Sequence, residues 1–119
     1  MDRRHTISFI HAGAGIWHAV RSQPNFVVHA LISGLVVGAG WWVGLDSWEW
    51  AVLILTISGG LVMELVNTAI EAAVDLTTSQ VHPLAKIAKD CASGAMLVYA
   101  IGATLIGLLI FIPKLWLFS

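Results

Sequence analysis

From Cys91 to Ile112 the chain carries no charged side chain. As a helix rising 1.5 Å per residue, a run of that length crosses roughly 30 Å of hydrocarbon. Two more stretches share this character: Phe26 to Leu45 holds one ionisable residue, His29, and Ala51 to Met63 holds none. A bilayer offers no water to the backbone, so such segments must satisfy their peptide groups internally, which a helix does. With 58% hydrophobic residues, 11% charged residues and a mean hydropathy of +0.85 over 119 residues, the composition points the same way. The expectation is an all-α membrane protein made of one domain over residues 1–119.

Breakers divide it. A first segment, about residues 5 to 22, sets Ile7, Ile10, Ala14, Trp17 and Val20 on one face, with Arg4, His11 and His18 at seven-residue intervals on another. It reads as an interfacial amphipathic helix. Gln23-Pro24-Asn25 interrupts that pattern, and three spans follow at about 26–45, 48–76 and 84–112. Asp46-Ser47 is read as a tight polar turn, Thr77 to Pro83 as a loop, and Pro113-Lys114 as the end of the third span. Arg3, Arg4, Arg21, Lys86 and Lys89 share one side of the membrane against Lys114 opposite, which predicts a cytoplasmic N-terminus. Trp41, Trp42, Trp48 and Trp50 flank the outer turn as an aromatic belt. No uninterrupted apolar h-region follows Arg3-Arg4, so a cleaved signal peptide is not expected.

Several function classes drop out. A net charge of −1 with no basic block gives no footprint for nucleic acid. Cys91 is the only cysteine, so one chain builds neither a disulfide framework nor a thiolate metal cage. The sequence has no Gly-x-x-x-x-Gly-Lys-Ser/Thr loop, protein-kinase signature, Gly-x-Ser-x-Gly elbow or His-Glu-x-x-His motif. Any nucleotide would be held by a site of another kind.

The second span supplies one. Glu64, Asn67, Glu71 and Asp75 recur at i, i+3, i+7 and i+11, within about 80° of one another around a helix. Carboxyls in or beside a bilayer each need a cation, a proton or a metal, so a stripe of them is a site by default. Measured from Trp50 at the outer interface, Glu64 lies roughly 21 Å inward and Glu71 roughly 31 Å. The stripe therefore descends to the cytoplasmic headgroups, where a lipid hydroxyl and a water-borne cosubstrate meet. Glu64, the deepest, suits a general base; its structural alternative is a protonated acid bridging helices. Glu71 and Asn67 offer hard oxygens to Mg²⁺ and nucleotide phosphates. Asp75 is read equally as a solvated helix-end carboxylate.

A second cluster follows Pro83: Lys89 can meet a phosphate, and Asp90 can bind metal or hold Lys86 at i−4. Arg4, His11 and His18 face either headgroups or the acidic site, and His29 is either a structural histidine or a substrate contact. His82 reads as a loop residue. Glycines spread through the spans permit close packing, and a protomer of three spans has little interior in which to shield three carboxyls. A homo-oligomer is expected.

The stretch Glu64-Leu-Val-Asn-Thr-Ala-Ile-Glu-Ala-Ala-Val-Asp75, followed by Ala88-Lys-Asp-Cys-Ala-Ser-Gly-Ala95, closely resembles the prokaryotic diacylglycerol kinase and undecaprenol kinase family over nearly the whole chain. The resemblance implies a homotrimeric kinase of a prokaryotic inner or plasma membrane, with cytoplasmic active sites shared between subunits. It would transfer the γ-phosphoryl group of MgATP to a lipid alcohol. By matching position, Glu64 corresponds to the base and Glu71 to a metal ligand, while Asn67, Asp75, Lys89 and Asp90 surround phosphates and metal. Arg4 matches a basic residue at the nucleotide site, and Ser93 matches a small residue near the lipid. Gln23 stands where well-known members carry a second metal-binding glutamate, and His11 where the diacylglycerol enzyme has tyrosine. Asn25-Phe26-Val-Val-His29 looks like the undecaprenol branch and assigns Asn25 and His29 to the lipid. The alternatives are diacylglycerol as substrate, giving phosphatidic acid, and, from another class, a small proton- or cation-conducting or lipid-binding protein.

Overall fold

A computed structural model describes residues 3–116 of the chain, all organised around helices. They are α1 (Arg3–Ser22), α2 (Pro24–Val43), α3 (Ser47–Thr77) and α4 (Pro83–Trp116). The last three are long and apolar enough to cross a membrane. Pro24 opens α2, where a missing N–H costs nothing, and Gln23 alone separates it from α1. Gly44 closes α2 with φ 76°, a left-handed conformation that glycine adopts without a Cβ clash, and its N–H donates to the Gly40 carbonyl at 3.0 Å.

The expected polar turn at Asp46-Ser47 is a capping box. Asp46 accepts from the Glu49 N–H at 3.1 Å, and Glu49 Oε1 accepts from the Asp46 N–H at 3.2 Å. This turn sits over the hydrophobic core of Val43, Leu45, Leu53 and Ile110. Trp41, Trp42 and Trp48 are exposed, as belt residues would be. Trp50 instead packs inward against Gly40.

Pro113-Lys114, expected to end the third span, does not end its helix: α4 continues through Pro113 to Trp116. Proline removes one backbone bond and crowds the preceding turn, which favours a break. Here tertiary contact overrides that preference. Lys114 Nζ reaches Glu49 Oε1 at 2.9 Å and fastens the last turn of α4 to the first turn of α3.

The α3–α4 pair is the main interface of the chain. At its centre the Tyr99 hydroxyl donates to the Thr56 carbonyl at 2.6 Å, and its ring lies against Gly59 and Gly60. A Cβ at Gly59 would collide with the phenolic oxygen, so glycine is required for this approach. At 31 and 34 residues, α3 and α4 are roughly 46 and 51 Å long, more than a hydrocarbon core needs. The surplus carries their polar ends beyond the apolar slab.

Candidate active site

Of the stripe on α3, Glu64 is the residue the fold buries: it is 4% exposed. The helix places it there because Gly60 and Leu61, the preceding turn, already face inward beneath α2 and α4. Across from it, one turn into α2, His29 directs Nε2 toward Glu64 Oε1 at 3.9 Å. That is too long for a hydrogen bond, and among the described residues it is the only Lys, Arg or His nitrogen within ion-pair range of this carboxylate.

From His29 a cavity of about 360 Å³ extends between α2, α3 and α4 toward the turn that joins α2 to α3. Its far end is apolar, formed by Val36, Leu53 and Phe111. The polar partners of several wall residues lie in the backbone: Ser33 Oγ donates to the His29 carbonyl, Thr56 Oγ1 to that of Val52, and Thr104 Oγ1 to that of Ala100. The remaining space therefore suits an apolar chain.

One turn beyond Glu64, the side-chain oxygen of Asn67 is buried with no hydrogen-bond partner. A buried acceptor left unpaired costs free energy, on the order of 1–3 kcal/mol, so a donor or a cation is what it lacks. Glu71 follows, half-buried, near enough to act electrostatically on Lys89 of α4. Lys89 Nζ donates to Asp75 Oδ1 at 2.8 Å and joins the end of the stripe to α4. Lys86 Nζ donates to Asp90 Oδ2 at 2.5 Å, the i, i+4 pair expected from their spacing. Both pairs are exposed, where an ion pair fixes geometry weakly and exchanges partners easily.

These four charged residues line a recess of about 560 Å³ against the loop, together with Gln80 and His82. Its size falls in the range of small-ligand sites. His82 is the loop residue expected, and its Nδ1 accepts the Leu84 N–H at 3.1 Å, which holds the ring before α4 and on the wall of this recess. The His-Pro dipeptide before a long helical pattern was the available signal.

The other sequence candidates are not gathered in. Arg4 and His11 are exposed on α1, Asn25 is exposed on α2, and Ser93 is exposed on α4. Gln23 is half-buried between α1 and α2, its backbone N–H donating to the Ala19 carbonyl at 2.9 Å, and its side chain forms no cap. Among the described residues, no three His, Cys, Asp or Glu side chains converge as a metal cage within one chain.

The family model for prokaryotic diacylglycerol kinase matches residues 10–111. The chain is 51% identical over 108 residues to an undecaprenol kinase of Bacillus subtilis, covering 91% of this chain and 88% of that protein. It is 44% identical over 110 residues to a diacylglycerol kinase of Synechocystis, covering 92% of this chain and 63% of that one. A diacylglycerol kinase of Escherichia coli K12 is 35% identical over 71 residues, 60% of this chain and 58% of that protein.

Proposed function

This chain belongs to the prokaryotic diacylglycerol kinase family, an ATP-dependent lipid kinase family of the membrane, and from that premise we propose that it phosphorylates the hydroxyl of undecaprenol with Glu64 as general base. One observation carries the reading. Along α3 the buried carboxylate of Glu64 follows Gly60 and Leu61, which line the apolar cavity, and precedes Asp75, which lines the charged recess, an order that suits a lipid hydroxyl from one side and a phosphoryl donor from the other. In this reading the apolar chain of the substrate lies among the spans with His29 at its polar end, and Asn25 and Ser93, exposed on α2 and α4, meet the lipid where subunits adjoin.

Phosphoryl transfer needs alignment and charge neutralisation more than covalent chemistry from the protein. Glu64 takes the hydroxyl proton as the new O–P bond forms. Lys89, released from its exposed pair with Asp75, offsets charge on the phosphates, and Asn67, Asp75 and Asp90 complete their surroundings. Arg4 and His11, exposed on α1, close over the nucleotide.

The donor set fits Mg²⁺, because it offers hard oxygens and an orphaned Asn67 carbonyl oxygen rather than thiolate or clustered imidazole. Glu71 and Gln23 would hold the ion, which when bound neutralises phosphate charge. Mg²⁺ commonly uses one or two carboxylates plus phosphates and water, so a full protein cage is not required.

The functional unit is a homotrimer with composite sites, one integral membrane domain over residues 1–119 per chain, α1 on the bilayer surface and the loop between α3 and α4 in the cytoplasm. Supporting this, α1 exposes Ile7, Phe9, Ile10 and Trp17, and the spans expose Leu35 and Leu109 at 75% each, apolar area that lipid or sister chains must cover. Lys86 and Lys89 lie at the same end as Arg21, as the charge rule requires.

Undecaprenol is preferred over diacylglycerol because the similarity to the undecaprenol kinase is both higher and more complete along that protein. The test is phosphate incorporation from γ-labelled ATP, with Mg²⁺, into a panel of lipid alcohols. Preferential labelling of undecaprenol supports the proposal; preferential labelling of diacylglycerol replaces the substrate. Ion flux in liposomes without lipid labelling would replace the enzyme with a conducting protein.

A further inference from the structure

We propose that His29 is the proton outlet of Glu64, carrying to water the proton that each turnover leaves on this carboxyl. The inference rests on the reading of Glu64 as general base. Burial creates the need for such an outlet. When the lipid oxygen bonds to the γ-phosphorus and the bond from phosphorus to ADP breaks, the hydroxyl proton forms an O–H bond on Glu64. A carboxyl 4% exposed cannot pass that proton directly to bulk solvent, and the base must be emptied before another turnover.

His29 meets the three requirements of a carrier. Its Nε2 is directed at Glu64 Oε1 from 3.9 Å, its side chain is 35% exposed against 6% for Glu64, and imidazole exchanges protons near neutral pH. The O–H bond on Glu64 breaks as an N–H bond forms on His29, and the imidazolium then releases the proton to water. The separation must close by about 1 Å to reach hydrogen-bond length, and catalytic hydrogen bonds are often long until substrate is bound.

Among the described residues, no other group near Glu64 can do this. On α4, Tyr99 is the one further titratable residue among those lining the cavity beside His29, and its hydroxyl is donated to the Thr56 carbonyl. Lys86 and Lys89 face Asp90 and Asp75. On α3 the next carboxylate, Glu71, lies two turns away beside Lys89. On α1 the sole buried residue is Ala19, and the ionisable groups of that helix are exposed.

The test compares His29→Gln, His29→Ala and Glu64→Gln, each verified by thermal unfolding and ATP binding. Glutamine retains polarity and bulk but cannot carry a proton. In both His29 variants, kcat for lipid phosphorylation is expected to fall about 10- to 100-fold while the KM for ATP changes less than about twofold. Added imidazole should restore kcat of His29→Ala several-fold, and the non-exchanging 1,3-dimethylimidazolium ion should not. A merely structural histidine predicts neither this rescue nor equal damage by glutamine and alanine. Wild-type kcat in His29→Gln, or a slow His29→Ala enzyme that imidazole leaves unchanged, overturns the proposal. An inactive Glu64→Gln beside a fully active His29→Gln removes the outlet and retains the base; an active Glu64→Gln removes the base itself.

Discussion

Glu49 and Glu64 are buried glutamates on one helix, and the fold treats them in opposite ways. At the start of α3 Glu49 caps the helix through Asp46 and pairs with Lys114 at 2.9 Å, above a packed apolar core. Further along α3 Glu64 has a histidine at 3.9 Å, Asn67 has an orphaned oxygen, and Asp75 and Asp90 are held by exposed lysines. Satisfied charge is structural, whereas charge left incompletely satisfied awaits something. Natural chains tolerate unsatisfied groups chiefly where they act.

The same substitution at both positions is the severest way to break this contrast. Glu64→Gln is expected to lower kcat about 10²- to 10⁴-fold with the unfolding temperature nearly unchanged. Glu49→Gln should do the reverse, lowering the unfolding temperature by several degrees while the folded fraction keeps its kcat; steady-state kinetics and thermal scans on both proteins check it. A smaller effect is expected for Lys89→Met, which removes one of the two lysines of the recess and should raise the KM for ATP about tenfold, measured by ATP titration. Gly59→Ala should be milder still. It displaces Tyr99 from Thr56, costing about 1–3 kcal/mol in denaturant unfolding, and its main effect should be on stability rather than on ATP affinity.

The acidic stripe, the three long apolar helices and the break at Gln23 were legible in the sequence, because periodicity and proline chemistry are local. The Asp46-x-x-Glu49 capping box was legible in principle but is easily read as a polar turn. What local rules could not supply is register between helices. The Glu49–Lys114 pair and the facing of His29 and Glu64 join residues far apart in sequence, and the first of these carries α4 past Pro113 against proline's usual preference. Trp50 turned inward for a similar reason: Gly40 opens a space beside it that only the packed α2–α3 corner creates. Arg4, His11, Gln23 and Ser93 are not drawn to Glu64 within one chain, in keeping with sites proposed to lie between subunits.

The most direct test of Glu64 as base measures ATP affinity and γ-phosphoryl transfer to undecaprenol on the same purified Glu64→Gln sample. The account predicts ATP binding within about twofold of wild type and transfer reduced at least about a hundredfold. Transfer at a near-wild-type rate would contradict it.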